Sequence, residues 1–259
     1  MEALSKTNIP GALSAIIIAK DEEEDIPGAL KSLEGLADEI IVLVAEDSSD
    51  KTAQIAREAG AKVFTRKFDG YAGQKQAALD SSTGRWVLSL DADERVSDEL
   101  RKTIISTLAQ SPAEAGFEIS FEVNFLGRHL KFGGLGSERH IRLFERNQGK
   151  FVGGSLHEGV ALLKPPSFLR PGAIIHEPYK NISEYLLKLD RYTTLAAHKL
   201  ESQGKRFHAW HHLLLPWEFF SRAFLRLGFL DGTPGLVWAG LSAFYSWLKY
   251  VKLKELGHD

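Results

Sequence analysis

Residues 13–50 read LSAIIIAKDEEEDIPGALKSLEGLADEIIVLVAEDSSD, and this stretch decides the fold. Two apolar runs, Leu13–Ala19 and Glu39–Ala45, are continuous rather than alternating, as strands buried on both faces require. Between them, Ile26, Ala29, Leu30 and Leu33 share one face of a helix expected over Ile26–Leu36. Working outward, Asp50 is placed to cap a helix over Lys51–Ala59, because a carboxylate accepts from the free first-turn amides. Gly60 ends that helix and Ala61–Thr65 reads as a third strand. A helix over Gly73–Ser81, a strand over Arg85–Leu90 and a helix over Asp98–Ala109 follow before Pro112. Buried strands that alternate with helices predict a doubly wound α/β half with a parallel sheet.

From about Ala115 the pattern changes. Phe117–Val123 alternates apolar and polar residues, as a half-exposed antiparallel strand does, Gly127–Gly136 reads as a mobile loop, and Arg139–Glu145 is strand-like. Beyond Asn181, Ile182, Tyr185, Leu186, Leu189 and Tyr192 recur at helical spacing, with further helices over about Trp210–Leu227 and Pro234–Leu256. The expected layout is a first domain over 1–180, with a nucleotide-binding half at 1–112 and an acceptor-facing half at 113–180. A C-terminal helical region covers 181–259.

Composition narrows the function classes. The 259 residues are 44% hydrophobic and 25% charged, which excludes a disordered chain, a collagen and a disulfide scaffold. A net charge of −2, from 32 Lys and Arg against 34 Asp and Glu, gives no reason to expect a nucleic-acid partner. With no cysteine there is no disulfide, thiolate nucleophile or zinc-thiolate site. Met1–Pro10 has no apolar core of a secretory signal, so a cytoplasmic location is expected.

In an open parallel sheet, ligands sit outside the carboxyl ends of the strands. Those ends carry Lys20-Asp21-Glu22-Glu23-Glu24-Asp25, Glu46-Asp47-Ser48-Ser49-Asp50 and Asp91-Ala92-Asp93-Glu94. Carboxylates gathered on one rim repel one another unless a cation sits among them, and Asp-x-Asp offers oxygen ligands suited to Mg²⁺ or Mn²⁺. A solvated acidic turn with helix caps is the plainer reading. No G-x-G-x-x-G follows the first strand, and neither a P-loop nor a G-x-S-x-G elbow occurs. A dinucleotide enzyme, a P-loop NTPase and an α/β-hydrolase are therefore disfavoured.

The ordered blocks KDEEEDI, EIIVLVAEDSSDKT, GYAGQKQAAL, TGRWVLSLDADERVS, IRLFER, LHEGV and GFLDGTPGL resemble family 2 glycosyltransferases of the GT-A fold. The resemblance runs from about Leu13 to Leu256 and is nearest to bacterial enzymes that add a hexose, as β-glucosyltransferases do, to the lipopolysaccharide core. It implies a mixed α/β sheet of the nucleotide-diphospho-sugar transferase type followed by a C-terminal helical region. It also implies inverting transfer from a nucleoside-diphosphate sugar, a UDP-sugar by preference, to a lipid-linked glycan. On that resemblance Asp93 matches a ligand of Mn²⁺ or Mg²⁺, and Asp91 matches a contact to the ribose or donor sugar. Glu22, Gln74 and Lys75 match positions near the nucleotide, Glu158 of His157-Glu158 matches the general base, and His176 matches a further metal ligand.

Lys75 also suits a solvated helix face, His176 a structural histidine, and Arg139 and Arg142 either anion binding or solvated strand charges. The family's aspartate after strand two is Ala45 here, so Glu46 or Asp47 is expected to supply that contact. Asp21 and Gln76 also stand where relatives carry Asn. Two rival readings are a binding module that has lost turnover and a GT-A transferase for another polysaccharide or a peptide.

Pro234–Leu248 (PGLVWAGLSAFYSWL) is apolar almost all round and lies between Arg222, Arg226 and Lys249, Lys252, Lys254. As a helix it is roughly 22 Å long, short of the ~30 Å hydrocarbon core, and suits an interfacial element. A core or oligomer helix is the other reading. With the lipid-linked acceptor implied above, a peripheral position on the cytoplasmic face of the inner membrane is expected.

Overall fold

The computed structural model describes residues 12–135, 138–153, 158–179 and 181–257. They form two units, one comprising residues up to Phe121 with Glu138–His176, the other residues from Glu122 to 135 with those from Glu177 onward.

In the first unit, uninterrupted apolar runs become the centre of a sheet. Strands β1 (Leu13–Ala19), β2 (Glu39–Ala45), β3 (Lys62–Arg66) and β4 (Trp86–Asp91) lie in the order β3-β2-β1-β4, every pairing parallel. Helices α1 (Ile26–Leu33), α2 (Thr52–Glu58), α3 (Tyr71–Asp80) and α4 (Asp98–Ala109) alternate with them. Leu13, Ala15 and Ile17 point into a cluster with α1 and α4 residues, whereas Ile16 packs with Ala78 and Leu79 of α3 and with Phe144. Both faces of β1 are covered, which is why its sequence shows no polar alternation. Each such leucine or isoleucine contributes about 1.5–3 kcal/mol on leaving water.

The boundaries follow local chemistry. The helix expected to Leu36 stops at Leu33, because Gly35 turns left-handed (φ 67°). Ser97 caps α4 by accepting from the Leu100 N–H, and Asp50 Oδ1 accepts from the Thr52 N–H at 2.9 Å.

The remaining strands are β5 (Glu94–Val96), β6 (Gly116–Phe125), β7 (Arg128–Leu130), β8 (Arg139–Glu145), β9 (Gly149–Gly153), β10 (Glu158–Leu162) and β11 (Ser167–His176). The sheet continues past β4 as β8-β6-β11-β5, with β8 antiparallel to β4 and β5 antiparallel to β11. Strands β9 and β10 form a separate hairpin, seated by Phe151, Val160 and Leu162 on the cluster around Phe144. Gly172 (φ 100°) lets β11 pass against α4, since a Cβ there would lie 2.3 Å from the Leu100 nitrogen.

The second unit takes in residues 122–135, a segment placed by sequence in the acceptor-facing half. Its Val123, Phe125, Leu130 and Leu135 share a cluster with Tyr185 and Leu189 of α5 (Ile182–Ser202) and with Trp238 of α7 (Gly232–Leu256). Phe125 meets Tyr179, Tyr185 and Trp238 edge to face, which ties this segment to the C-terminal helices. The stretch read as a mobile loop contains β7, joined to β6 through Leu126 and Gly127, both left-handed as a tight hairpin turn requires. Gly136 lies outside the described residues.

The helix expected over Trp210–Leu227 is built as a 3₁₀ turn (Ala209–Leu213), the short helix α6 (Leu214–Phe220) and a π turn (Ser221–Leu225). In α7, Val237, Trp238, Leu241, Phe244, Tyr245 and Leu248 pack against the cluster, so one side of the Pro234–Leu248 run faces protein. No helix among the described residues is long and apolar enough to cross a membrane.

Candidate active site

Parallel pairing brings the carboxyl ends of β1, β2 and β4 to one rim, with Ile18 opposite both Leu43 and Asp91. The acidic loops beyond these ends are tied to each other. Asp21, left-handed at φ 55°, accepts from the Ser49 N–H at 2.7 Å, and Lys20 Nζ stands 2.5 Å from Asp47 Oδ2. The Glu22 N–H donates to Thr52 Oγ1 at 2.8 Å, and the Glu23 N–H donates to Asp50 Oδ2 at 2.8 Å. Much of the acidic character read from the sequence therefore builds the junction between β1 and β2. Ala45 is buried at the end of β2 opposite Arg66, while Glu46 and Asp47 stand exposed just beyond it. The Lys20 ammonium holds the Asp47 carboxylate below its ordinary range.

At the end of β4 a buried network is assembled from four elements. Lys75 Nζ, on α3, lies 2.8 Å from Asp91 Oδ1, and Arg142 Nη2, on β8, lies 3.1 Å from Asp91 Oδ2. The same guanidinium nitrogen is 2.5 Å from Glu94 Oε1, and Glu94 Oε2 accepts from the Asp91 N–H at 2.9 Å. Glu94 thus closes the Asp91-Ala92-Asp93-Glu94 turn on itself. Burial works against the charge on Asp91, yet Lys75 and Arg142 hold it far below the usual carboxylate range. For Glu94 burial prevails and raises the pKa to about 7 against the pull of Arg142.

These contacts correct two sequence readings. Lys75, with its side chain only 4% exposed, is no solvated helix face, and Arg142, 11% exposed and 5.2 Å from the Phe121 ring, is no solvated strand charge. Arg139 instead lies exposed over the Phe168 ring at 3.8 Å. Gln74 is buried beside Lys75 in sequence, but its amide donates to the Arg66 and Lys67 carbonyls, which ties α3 to the segment after β3.

Asp93 occupies the turn between β4 and β5. The β5–β11 register sets His176 opposite Glu94, and His176 Nε2 comes to 3.2 Å from Asp93 Oδ2. Burial disfavours a charged imidazole here, but the Asp93 carboxylate, with Glu94 and Asp91, raises His176 above its ordinary range. Residues 83 apart in sequence thus present one carboxylate and one imidazole, each partly exposed, at the same point. Among the described residues no group of three or more His, Cys, Asp or Glu is arranged to hold a metal ion. A carboxylate and an imidazole that are both partly exposed fit a divalent cation that takes its remaining ligands from outside the protein.

Glu158 opens β10 opposite Gly153, and its side chain, like His157, lies outside the described residues. The network member that sequence reasoning did not single out is Glu94. Its signal was present as the last letter of LDADE, but burial rather than motif gives it its role.

Comparison with known proteins bears on this arrangement. A family profile described as glycosyl transferase family 2 matches residues 14–116, which spans β1 through the start of β6. An uncharacterized glycosyltransferase of Rickettsia typhi, RT0209, is 31% identical over 255 residues, 94% of this chain and 87% of that protein. The lipopolysaccharide core biosynthesis glycosyltransferase LpsC of Rhizobium meliloti is 30% identical over 250 residues, 94% of this chain and 92% of that protein. Among solved structures, the mannosyltransferase PcManGT of Pyrobaculum calidifontis, in complex with GDP-Man and Mn²⁺, superposes with a TM-score of 0.53. That match is 14% identical and covers 95% of this chain and 88% of that one, which speaks to the fold alone.

Proposed function

This chain belongs to the family 2 glycosyltransferases of the GT-A fold, related to bacterial lipopolysaccharide core enzymes, and we propose that it moves a hexose with inversion from a UDP-sugar to a lipid-linked glycan of the lipopolysaccharide inner core. Nucleoside-diphosphate-sugar-dependent glycosyl transfer is the activity of the family, and the inversion, donor and acceptor are the proposal. The observation that carries it is the division of labour within Asp91-Ala92-Asp93. Asp91 is pinned by Lys75 and Arg142, whereas Asp93 is turned toward His176 at the rim.

Asp93 and His176 would hold Mn²⁺ or Mg²⁺, which when bound neutralises charge developing on the diphosphate leaving group. Asp91, kept ionised and in one orientation, offers its exposed edge to a ribose or sugar hydroxyl. Glu22 and Glu46 or Asp47 border the nucleoside, with Glu46 or Asp47 standing in for the carboxylate that Ala45 lacks. Gln74 and Lys75 act from beneath the donor, Lys75 through Asp91. In the transfer the acceptor oxygen bonds to the anomeric carbon as the bond from that carbon to the diphosphate oxygen breaks, its electron pair leaving with the diphosphate. The acceptor proton goes to Glu158 as general base, on the face opposite the leaving group. The reaction is placed at the cytoplasmic face of the inner membrane, where such an acceptor is held.

The test is Asp93→Asn, assayed by calorimetric titration with UDP, GDP, ADP and dTDP with and without Mn²⁺. Loss of the Mn²⁺-dependent part of nucleotide affinity, with the circular dichroism spectrum unchanged, supports the reading. Unchanged metal-dependent affinity sinks it, and binding without hydrolysis of any donor sugar by the parent chain favours a binding module.

A further inference from the structure

Within the second unit, a basic and aromatic cavity adjoins a long exposed apolar segment, and the two share Trp210. The cavity, of about 470 Å³, is lined by Lys205, Arg206, His208, Trp210, His211 and Tyr250 among others. Its aromatic side is a stack. The Trp210 and His211 rings are 3.9 Å apart and tilted by 28°, and the His211 and Tyr250 rings are 3.9 Å apart and tilted by 23°. His211 is buried in this stack, its Nδ1 at 2.9 Å from the His208 carbonyl, and burial lowers its pKa, so it serves as a neutral spacer between the two larger rings. Lys205, Arg206 and His208 stay exposed on the cavity's polar side.

The apolar segment begins at the same tryptophan. The helix α6, LLPWEFF, has no buried residue at all. Leu213, Trp217, Phe220, Phe224 and Leu225 each leave between 47% and 67% of their surface in solvent. An apolar surface of this kind marks an interaction site on a folded chain. Its charge identifies the occupant. From Gln203 to Leu230 there are four basic residues, Lys205, Arg206, Arg222 and Arg226, against the single acid Glu218, and Glu218 pairs with Arg222 at 3.4 Å. A second copy docked about a two-fold axis would set this basic surface against itself. An anionic bilayer surface complements both parts, because Trp and Phe settle at the headgroup boundary while Lys and Arg meet lipid phosphates.

We propose that Trp210–Leu230 is the membrane-docking element of this protein and that the neighbouring cavity holds the phosphate of an anionic phospholipid, through Lys205 and Arg206. The element is thus upstream of the Pro234–Leu248 run, whose Trp238 and Phe244 are committed to the unit's own core. The inference rests on the reading of a lipid-linked acceptor and names the surface that brings the enzyme to it.

The experiment is flotation of the full chain with vesicles of phosphatidylcholine alone and of an equimolar mixture with phosphatidylglycerol. The parent is expected to bind the mixed vesicles at least about a hundredfold more tightly, as three basic groups without an acidic partner in the segment dictate near an anionic surface. In Lys205→Ala/Arg206→Ala that preference falls by about thirtyfold, the effect of two basic groups. In Trp217→Ser/Phe220→Ser binding to both vesicles is lost, while the circular dichroism spectrum and Mn²⁺-dependent nucleotide binding remain. Equal binding to both vesicle types, or no binding to either, overturns the proposal. So does a dimer in sedimentation that Trp217→Ser/Phe220→Ser dissociates. Donor-sugar hydrolysis in solution, measured on the same samples, reports the transferase reading separately.

Discussion

Replacing Lys75 by Met isolates what holds the Asp-x-Asp turn in place. Met keeps the length and apolar stem of the side chain and removes the ammonium that stands 2.8 Å from Asp91 Oδ1. Breaking a buried ion pair from one side costs about 3–5 kcal/mol, because the remaining charge is left without its partner. Here the orphaned carboxylate keeps Arg142 at 3.1 Å and is 33% exposed, so water and the guanidinium recover part of that loss. The expected destabilisation is about 2–3 kcal/mol.

Because the chain has two units, the loss is read locally, from hydrogen exchange of the β4 amides. Asp91→Asn and the double variant complete a cycle, and a coupling of about 1–3 kcal/mol between the two positions is expected. A cost below about 0.5 kcal/mol, or a cycle with no coupling, would refute the argument that this pair fixes the turn.

Further predictions follow from neighbouring features. Glu158→Gln is expected to lower the transfer rate by about 10²–10⁴ while donor affinity persists, measured by single-turnover transfer to a lipopolysaccharide acceptor. A rate within a few-fold of the parent assigns the base elsewhere. Ala45→Asp is expected to leave UDP affinity unchanged, and Glu46→Ala or Asp47→Ala to weaken it by about 1–3 kcal/mol in calorimetry, since one of them replaces the missing carboxylate. Tightening by Ala45→Asp would show that nothing replaces it.

Glu39 gives a pH signature. Burial alone would raise its carboxyl, but Lys62, Ser14 and Thr83 hydrogen-bond the anion and hold it at about 2, below the ordinary 4.5. A depressed folded-state pKa stabilises the fold above the unfolded value, and that contribution is lost as pH falls from about 4.5 to 2. With Lys62 itself 58% exposed, solvent screening reduces the contribution to about 1–2 kcal/mol, and Glu39→Gln is expected to flatten the acid limb of the stability curve by that amount.

The doubly wound α/β half was legible in the sequence for a physical reason. Strands buried on both faces have to be apolar throughout, and LSAIIIA and EIIVLVA carry that requirement within seven residues each. The rim followed from the same reading, because the residues after parallel strands share one edge, and the ordered blocks around LDADE sufficed to identify the family. Residue patterns alone did not reach the interactions between distant segments, and only the family resemblance paired Asp93 with His176. The letters of Lys75, Arg142 and Glu94 fit solvated charges as well as buried ones, and only the packing of α3, β8 and β5 around Asp91 makes them a desolvated network. His176 meets Asp93 through the antiparallel β5–β11 register, which local propensity does not encode. The apolar C-terminal segments were equally ambiguous. Hydrophobicity along a chain does not say which side chains find partners, and tertiary packing covers Trp238 and Phe244 while leaving Trp217 and Phe220 in solvent.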